Sequence, residues 1–211
     1  MAKNEAYSAI EEKPVFFFIP DISGFTNFMS QVNLQAGAAF MRDLLESIID
    51  SNIYKLQVSE IQGDAILFYK FGQPLTLGEL EKQTIKTFTD FQQVLSGLAA
   101  TYNFPAKIFK DVSLKFVVHY GHVGTALLKG MLKLIGTDMI IANKVLKNNI
   151  SGNEYLLMTD EYLSTQNMDQ LYLKNSFGWE DIQAGSCIYE GIGLVKYQFV
   201  DLASLREPLV G

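Results

Sequence analysis

The chain has 211 residues, and its 48% apolar and 19% charged content is that of a globular domain with a substantial core, not of a disordered segment. Its 23 acidic residues outnumber the 17 basic ones, and the resulting formal charge of −6 argues against a general nucleic-acid binder. One cysteine, Cys187, excludes an intrachain disulfide and fits a reducing compartment, and a lone cysteine with two histidines, His119 and His122, argues against the usual zinc site.

Any metal here is therefore expected to have oxygen ligands, which favours Mg2+ or Mn2+. The N-terminus MAKNEAYSAIEEKP is polar and acidic, unlike a signal peptide. No apolar run approaches the roughly 18–20 residues of a membrane helix. The expectation is a cytoplasmic protein with no membrane partner and no nucleic-acid partner.

In chain order, residues 1–13 read as a loose arm. VFFFI at 15–19 is short, apolar and expected to end at Pro20, so it reads as a buried strand. TNFMSQV and LQAGAAFMRDLLESIIDSN have helical spacing, with Phe40, Leu44, Ile48 and Ile49 on one side. IYKLQVSEI and AILFYKF are strands of a hairpin turning through Gln62-Gly63-Asp64. A long amphipathic helix runs through residues 77–103, with Leu80, Ile85, Phe88, Phe91 and Leu95 toward the core. VSLKFVVHYG and HVGTALLKG are expected to form a strand pair around Gly121. TDMIIANKVLKNN is a helix N-capped by Thr137 or Asp138. EYLLMT is a strand, and CIYEGIGLVKYQFVDL reads as strand, glycine turn, strand.

Helices thus interrupt pairs of strands. That favours an α+β fold with a mostly antiparallel sheet, near the ferredoxin-like split βαβ pattern. A single domain is expected over residues 14–204, with a tail at 205–211.

Two carboxylates draw attention. Asp21 stands at the mouth of the first strand, where desolvation is expensive unless a helix terminus, a basic side chain or a metal ion answers it. Asp64 lies in the first hairpin turn, which a ferredoxin-like sheet can place beside the end of the first strand. Two carboxylates there would repel unless a cation bridged them, as in metal-dependent phosphoryl-transfer sites. The DISGFT segment offers backbone N–H groups to an anion. The alternative is that Asp21 caps a helix and Asp64 is an ordinary turn residue.

Five segments resemble motifs of the class III nucleotidyl cyclase catalytic domain, in the same order. FFFIPDISGFTNFM resembles its first metal motif and EIQGDAILF its second metal hairpin. LKFVVHYGHVG, LIGTDMIIANKVLKN and YEGIGLVKYQFV resemble its later strand, helix entry and closing hairpin. The resemblance implies a head-to-tail homodimer that binds a nucleoside triphosphate. One subunit supplies the metal aspartates to each site, and the other supplies the groups that stabilise the transition state. It implies in-line attack of a ribose 3′-hydroxyl on the α-phosphate, with release of pyrophosphate.

Carried over, Asp21 and Asp64 hold the divalent ions, with the Ile22 carbonyl as a further ligand. Ile22, Ser23, Gly24, Phe25 and Thr26 cradle phosphates. Glu60 and Lys133 fall on the base-reading positions, where Glu60 either reads guanine or closes the pocket in a salt bridge with Lys133. Lys144 falls on the transition-state arginine. The asparagine position is Ile140 and the triphosphate lysine position is Ile192, neither able to hydrogen-bond a ribose or phosphate through its side chain. Lys129, Lys133 and Lys147 either supply substitute charge or form a solvated basic face. His119 is expected to be packed and hydrogen-bonded, His122 exposed, and Cys187 buried as a small apolar residue. These departures imply a nucleotide-binding domain with little cyclase activity. A cyclase of altered nucleotide choice and an interaction module with a vestigial site stay open.

Overall fold

The computed structural model describes residues 11–102, 108–167, 177 and 179–206. The expected arm at residues 1–13 and tail at 205–211 lie largely outside them.

The fold is organised on β1 (Lys13–Ser23), which lies between two antiparallel neighbours, β3 and β4. Its even residues Phe16 and Phe18 enter one core, and its odd residues Val15, Phe17 and Ile19 enter a second core on the other face. Burial on both faces explains why this segment is continuously apolar instead of alternating.

After β1 come α1 (Phe25–Met29) and α2 (Leu34–Asp50). Asn33 caps α2, its Oδ1 accepting from the Ala36 N–H at 2.9 Å. Phe40, Leu44 and Ile48 are buried beneath α2, as their spacing predicts. β2 (Gln57–Gln62) and β3 (Ala65–Phe71) form the expected hairpin, and Gly63 supplies the positive φ of 63° that its two-residue turn needs.

α3 (Leu77–Tyr102) opens with a capping box, in which Glu79 accepts from the Thr76 N–H at 2.8 Å. Then follow β4 (Ser113–Leu128), β5 (Met131–Ile135), α4 (Thr137–Val145), β6 (Tyr155–Thr159) and α5 (Asp160–Leu163). The described residues end with the hairpin β7 (Gln183–Tyr189) and β8 (Gly193–Asp201) and a short 3-10 turn.

The sheet order is β2-β3-β1-β4-β6-β8-β7, with β5 paired to the far end of β4. Its first four strands, with α2 and α3 as crossovers, are the split βαβ unit. Beyond them, β6 joins β4 in parallel, and the remaining pairings are antiparallel. The fold class expected from the sequence is the one observed. No helix of the described residues is long and apolar enough to cross a membrane.

Three local expectations are corrected. β1 does not end at Pro20: its ladder to β4 continues to Ser23↔Ser113. The missing N–H of Pro20 falls where the β1–β3 register lapses between Phe18↔Phe68 and Asp21↔Ala65. Gly121 is not a turn, because β4 runs straight through it and the hairpin closes at Lys129 and Gly130, whose φ values are 51° and 85°. Gly121 is instead a close-approach residue, since a Cβ there would lie 2.2 Å from the Asp138 carboxyl carbon. Finally, neither Thr137 nor Asp138 caps α4. The N-cap is Gly136 at φ 151°, and the Asp138 carboxylate is engaged with β4 instead.

Candidate functional site

β1 ends by placing Asp21 opposite Ala65 of β3 and Lys115 of β4. The Ile22 N–H donates to the Asp64 carbonyl at 3.1 Å, which ties the β2–β3 turn to the end of β1. Asp21 and Asp64 therefore line one cleft of about 610 Å³, together with Ile22, Ser23, Gly24, Phe25 and Thr26. Gly24 takes φ 73°, and a Cβ there would lie 2.2 Å from the Asp111 carbonyl oxygen, so the turn from β1 into α1 requires glycine.

Of the three partners that could answer Asp21, the structure supplies a basic side chain. The Lys115 Nζ lies 3.1 Å from Asp21 Oδ2 and also donates to the Leu146 carbonyl at 3.5 Å. Burial raises the Asp21 carboxyl above its ordinary range, Lys115 opposes that rise, and Asp64 adds to it. Burial works against the charge of Lys115, but Asp21 together with Tyr155 and Asp64 outweighs it, and the ammonium is held above its ordinary pKa. No helix end caps Asp21, since α1 begins after Gly24 without a side-chain cap.

The base-reading pair meets directly. Lys133 Nζ lies 2.9 Å from Glu60 Oε2, and Gln62 donates to Glu60 Oε1 at 2.7 Å. Neither Glu60 nor Lys133 lines the cleft, whereas Gln62 does. Lys144 is exposed on the outer face of α4, one turn from Ile140, which is 51% exposed. The same helix and its C-terminal turn present Asn143 and Lys147 to the cleft. The three flanking lysines thus separate: Lys129 sits in the β4–β5 turn, Lys133 pairs with Glu60, and Lys147 reaches the cleft. Ile192 packs against the core on the α4 side of the sheet.

His119 is fully buried and hydrogen-bonded as expected. Its Nδ1 lies 2.8 Å from Thr159 Oγ1 and its Nε2 3.3 Å from Asp138 Oδ1. The other Asp138 oxygen accepts from the His122 N–H at 2.6 Å. Burial resists ionisation of Asp138, but these two donors overcome it and hold the carboxyl below its ordinary range. The cluster pins the start of α4 to β4. His122 is exposed, as expected. Cys187 is not fully buried: it is half-buried and polar in its contacts, lying 3.4 Å from Asn149 Oδ1 and 3.7 Å from the Tyr197 hydroxyl.

Lys115, Asn143 and Gln62 are cleft residues that sequence reasoning missed, whereas Lys147 was offered there as a source of substitute charge. Lys115 had a signal, as a lone cation in the apolar strand VSLKFVV. Asn143 and Lys147 stand four apart on one helical face, but that spacing alone does not say which face meets a cleft.

Residues 41–155, more than half of the chain, match the family described as "Protein of unknown function (DUF2652)". An uncharacterized protein of Mycobacterium tuberculosis is 27% identical over 170 residues, covering 80% of this chain and 76% of that protein. Among solved structures, the guanylyl cyclase Cya2 superposes with a TM-score of 0.65 at 10% identity, covering 92% of this chain and 98% of the other. The guanylate cyclase domain of RhGC from Catenaria anguillulae, in complex with GTP, gives 0.61 at 17% identity, covering 91% and 98%. The adenylyl cyclase CyaB from P. aeruginosa gives 0.54 at 17% identity, covering 95% and 98%. The chain belongs to the DUF2652 family, and its fold is that of the class III nucleotidyl cyclase catalytic domain.

Proposed function

We propose that this chain binds a nucleoside triphosphate together with a divalent ion, Mg2+ or Mn2+, at Asp21 and Asp64, and turns it over slowly or not at all. The observation that carries this reading is the meeting of both aspartates in one cleft beneath the β1–α1 turn.

The donor set fits such an ion. Among the described residues no group of three or more His, Cys, Asp or Glu could hold a metal alone. A pair of carboxylates that needs further oxygen ligands suits Mg2+, which is commonly bound by one or two carboxylates plus substrate phosphates. When bound, the ion would neutralise phosphate oxygens. The chain's own share is to orient the triphosphate along Ile22–Thr26, with Asn143 and Lys147 facing it.

The geometry also supports a head-to-tail homodimer. Lys144 and Ile140 are exposed and do not line the aspartate cleft of their own chain, which leaves them free to complete a site on a second copy. The β4–β5 hairpin exposes Leu127 at 72% and Met131 at 69%, an apolar surface such a copy would cover. Weak turnover follows from Ile140, Ile192 and Lys144, which remove two polar contacts and one bidentate fork. Each such loss costs roughly 10²–10³ in rate, although such effects need not add.

The test is a thermal-shift series with ATP, GTP, CTP and UTP, in Mn2+ and in EDTA, on the wild type and Asp21→Ala. The expected result is a metal-dependent rise of about 5–10 °C for one nucleotide near a hundredfold its Kd, absent in the variant. No shift with any nucleotide would refute the reading.

A further inference from the structure

Lys115 is placed against Asp21 by the backbone itself. The two residues are direct cross-strand partners in the β1–β4 ladder, so their side chains leave the same face of the sheet. That face is the one on which α4 packs, and the 3.5 Å contact with the Leu146 carbonyl holds the ammonium from the far side. Asp64 approaches Asp21 from the other neighbour, beside Ala65 of β3. Among the described residues the Asp64 carboxylate forms no ion pair. The row is therefore a fixed cation, a shared carboxylate and an open carboxylate, in that order.

Two divalent ions bridging Asp21 and Asp64 would bring one of them against the ammonium that already contacts Asp21 Oδ2 at 3.1 Å. Like charges at such range repel strongly in a half-buried cleft. We propose that Lys115 is a built-in cation occupying one of the two cation positions of this carboxylate pair, so that each protomer takes a single divalent ion, on the Asp64 side. This inference rests on the metal-and-triphosphate reading above and specifies the stoichiometry of that site. Lys115 is a positioning residue here. It balances the charge of Asp21, so that the carboxylate pair takes one ion where a pair without it would take two.

The experiment is a Mn2+ titration of the full chain, read by electron paramagnetic resonance of free Mn2+ and by calorimetry, with inorganic tripolyphosphate as a base-independent probe. It compares the wild type with Lys115→Met, Lys115→Arg and Asp21→Asn. The expected result is one Mn2+ per protomer in the wild type and in Lys115→Arg, which keeps the charge. Lys115→Met should take up a second ion or bind the first at least about tenfold more tightly, the scale on which a neighbouring charge shifts a carboxylate equilibrium. Asp21→Asn should weaken uptake.

Two Mn2+ per protomer in the wild type would overturn the proposal while leaving the metal reading standing. So would Lys115→Met titrating like the wild type. Absence of Mn2+ uptake from every protein, with or without tripolyphosphate, would overturn both. The wild-type stoichiometry decides the matter even if Lys115→Met does not fold.

Discussion

Gly121→Ala tests the pin that holds α4 to the sheet. The added Cβ would lie 2.2 Å from both Cγ and Oδ2 of Asp138 and 2.6 Å from its Cβ, far inside van der Waals contact. Asp138 must then swing out, losing the His122 N–H at 2.6 Å and the His119 Nε2 at 3.3 Å. Hydrogen bonds to a charged group contribute about 1.5–3 kcal/mol each, and stranding a buried ring nitrogen costs about 1–3 kcal/mol. Some recoil of α4 would recover part of this, so the expected loss is about 3–5 kcal/mol. In a chain of this length that lowers Tm by about 6–20 °C.

The assay is urea unfolding followed by circular dichroism, with a thermal melt beside it. Asp138→Ala removes Cγ and Oδ2 from the clash, so Gly121→Ala should cost less on that background, with a coupling of about 1–2 kcal/mol. A loss below about 0.5 kcal/mol would show that β4 and α4 part easily and would refute the pin.

Three further outcomes follow from the same contacts. Asp138 has a folded pKa below its ordinary value of 3.8, so its stabilisation is fully present above about pH 4 and is lost as pH falls through the folded value. The gap in urea midpoint between wild type and Asp138→Asn should stay constant from about pH 5 to 7 and shrink below about pH 4, and a gap undiminished at about pH 2 would contradict this. Lys115→Met should cost about 1–3 kcal/mol by stranding Asp21, while Asp21→Asn with Lys115→Met should return to within about 1 kcal/mol of the wild type, as measured in urea. Leu127→Glu with Met131→Glu should convert the proposed dimer to a monomer in sedimentation, and an unaltered mass distribution would remove this hairpin from the interface.

The order of elements was legible because each carries a local signature. The doubly buried β1 shows as an unbroken apolar run, Gly63 marks a two-residue turn, and Phe40, Leu44 and Ile48 mark one helical face. The errors arose where a residue's role depends on a distant partner. Gly121 looks like a turn until Asp138, 17 positions on, fills the space of its missing Cβ. Pro20 looks like a strand end until β4 is seen to pair past it. In the candidate site, the nearness of Asp21 and Asp64 was readable from the strand order, but that of Lys115 was not, because its pairing is set by the β1–β4 register, which no local pattern encodes. Asn143 was hidden for the same reason, and Lys147 was named without being told apart from Lys129 and Lys133, since the helix must be docked before its cleft-facing side is known.

The candidate site divides into two halves with different requirements. The aspartates and Lys115 are brought together within one chain, by the β1–β3 and β1–β4 ladders, so the proposed ion binding at Asp21 and Asp64 would need no second copy. Ile140 and Lys144 lie on the outer face of α4, where they meet no part of that cleft. Substitutions in the two halves should therefore act independently. Ile140→Asn with Lys144→Arg supplies a hydrogen-bonding amide and a planar fork on the outer face, and should raise any nucleotide turnover by about 10²-fold or more. It should leave Mn2+ uptake in the absence of nucleotide unchanged, because neither residue contacts the aspartates. Lys115→Met should do the reverse, altering Mn2+ uptake without supplying any group to the outer face. If the outer-face pair changed Mn2+ stoichiometry in the monomer, the two halves would be coupled through α4, and the separation argued from the sheet registers would be wrong.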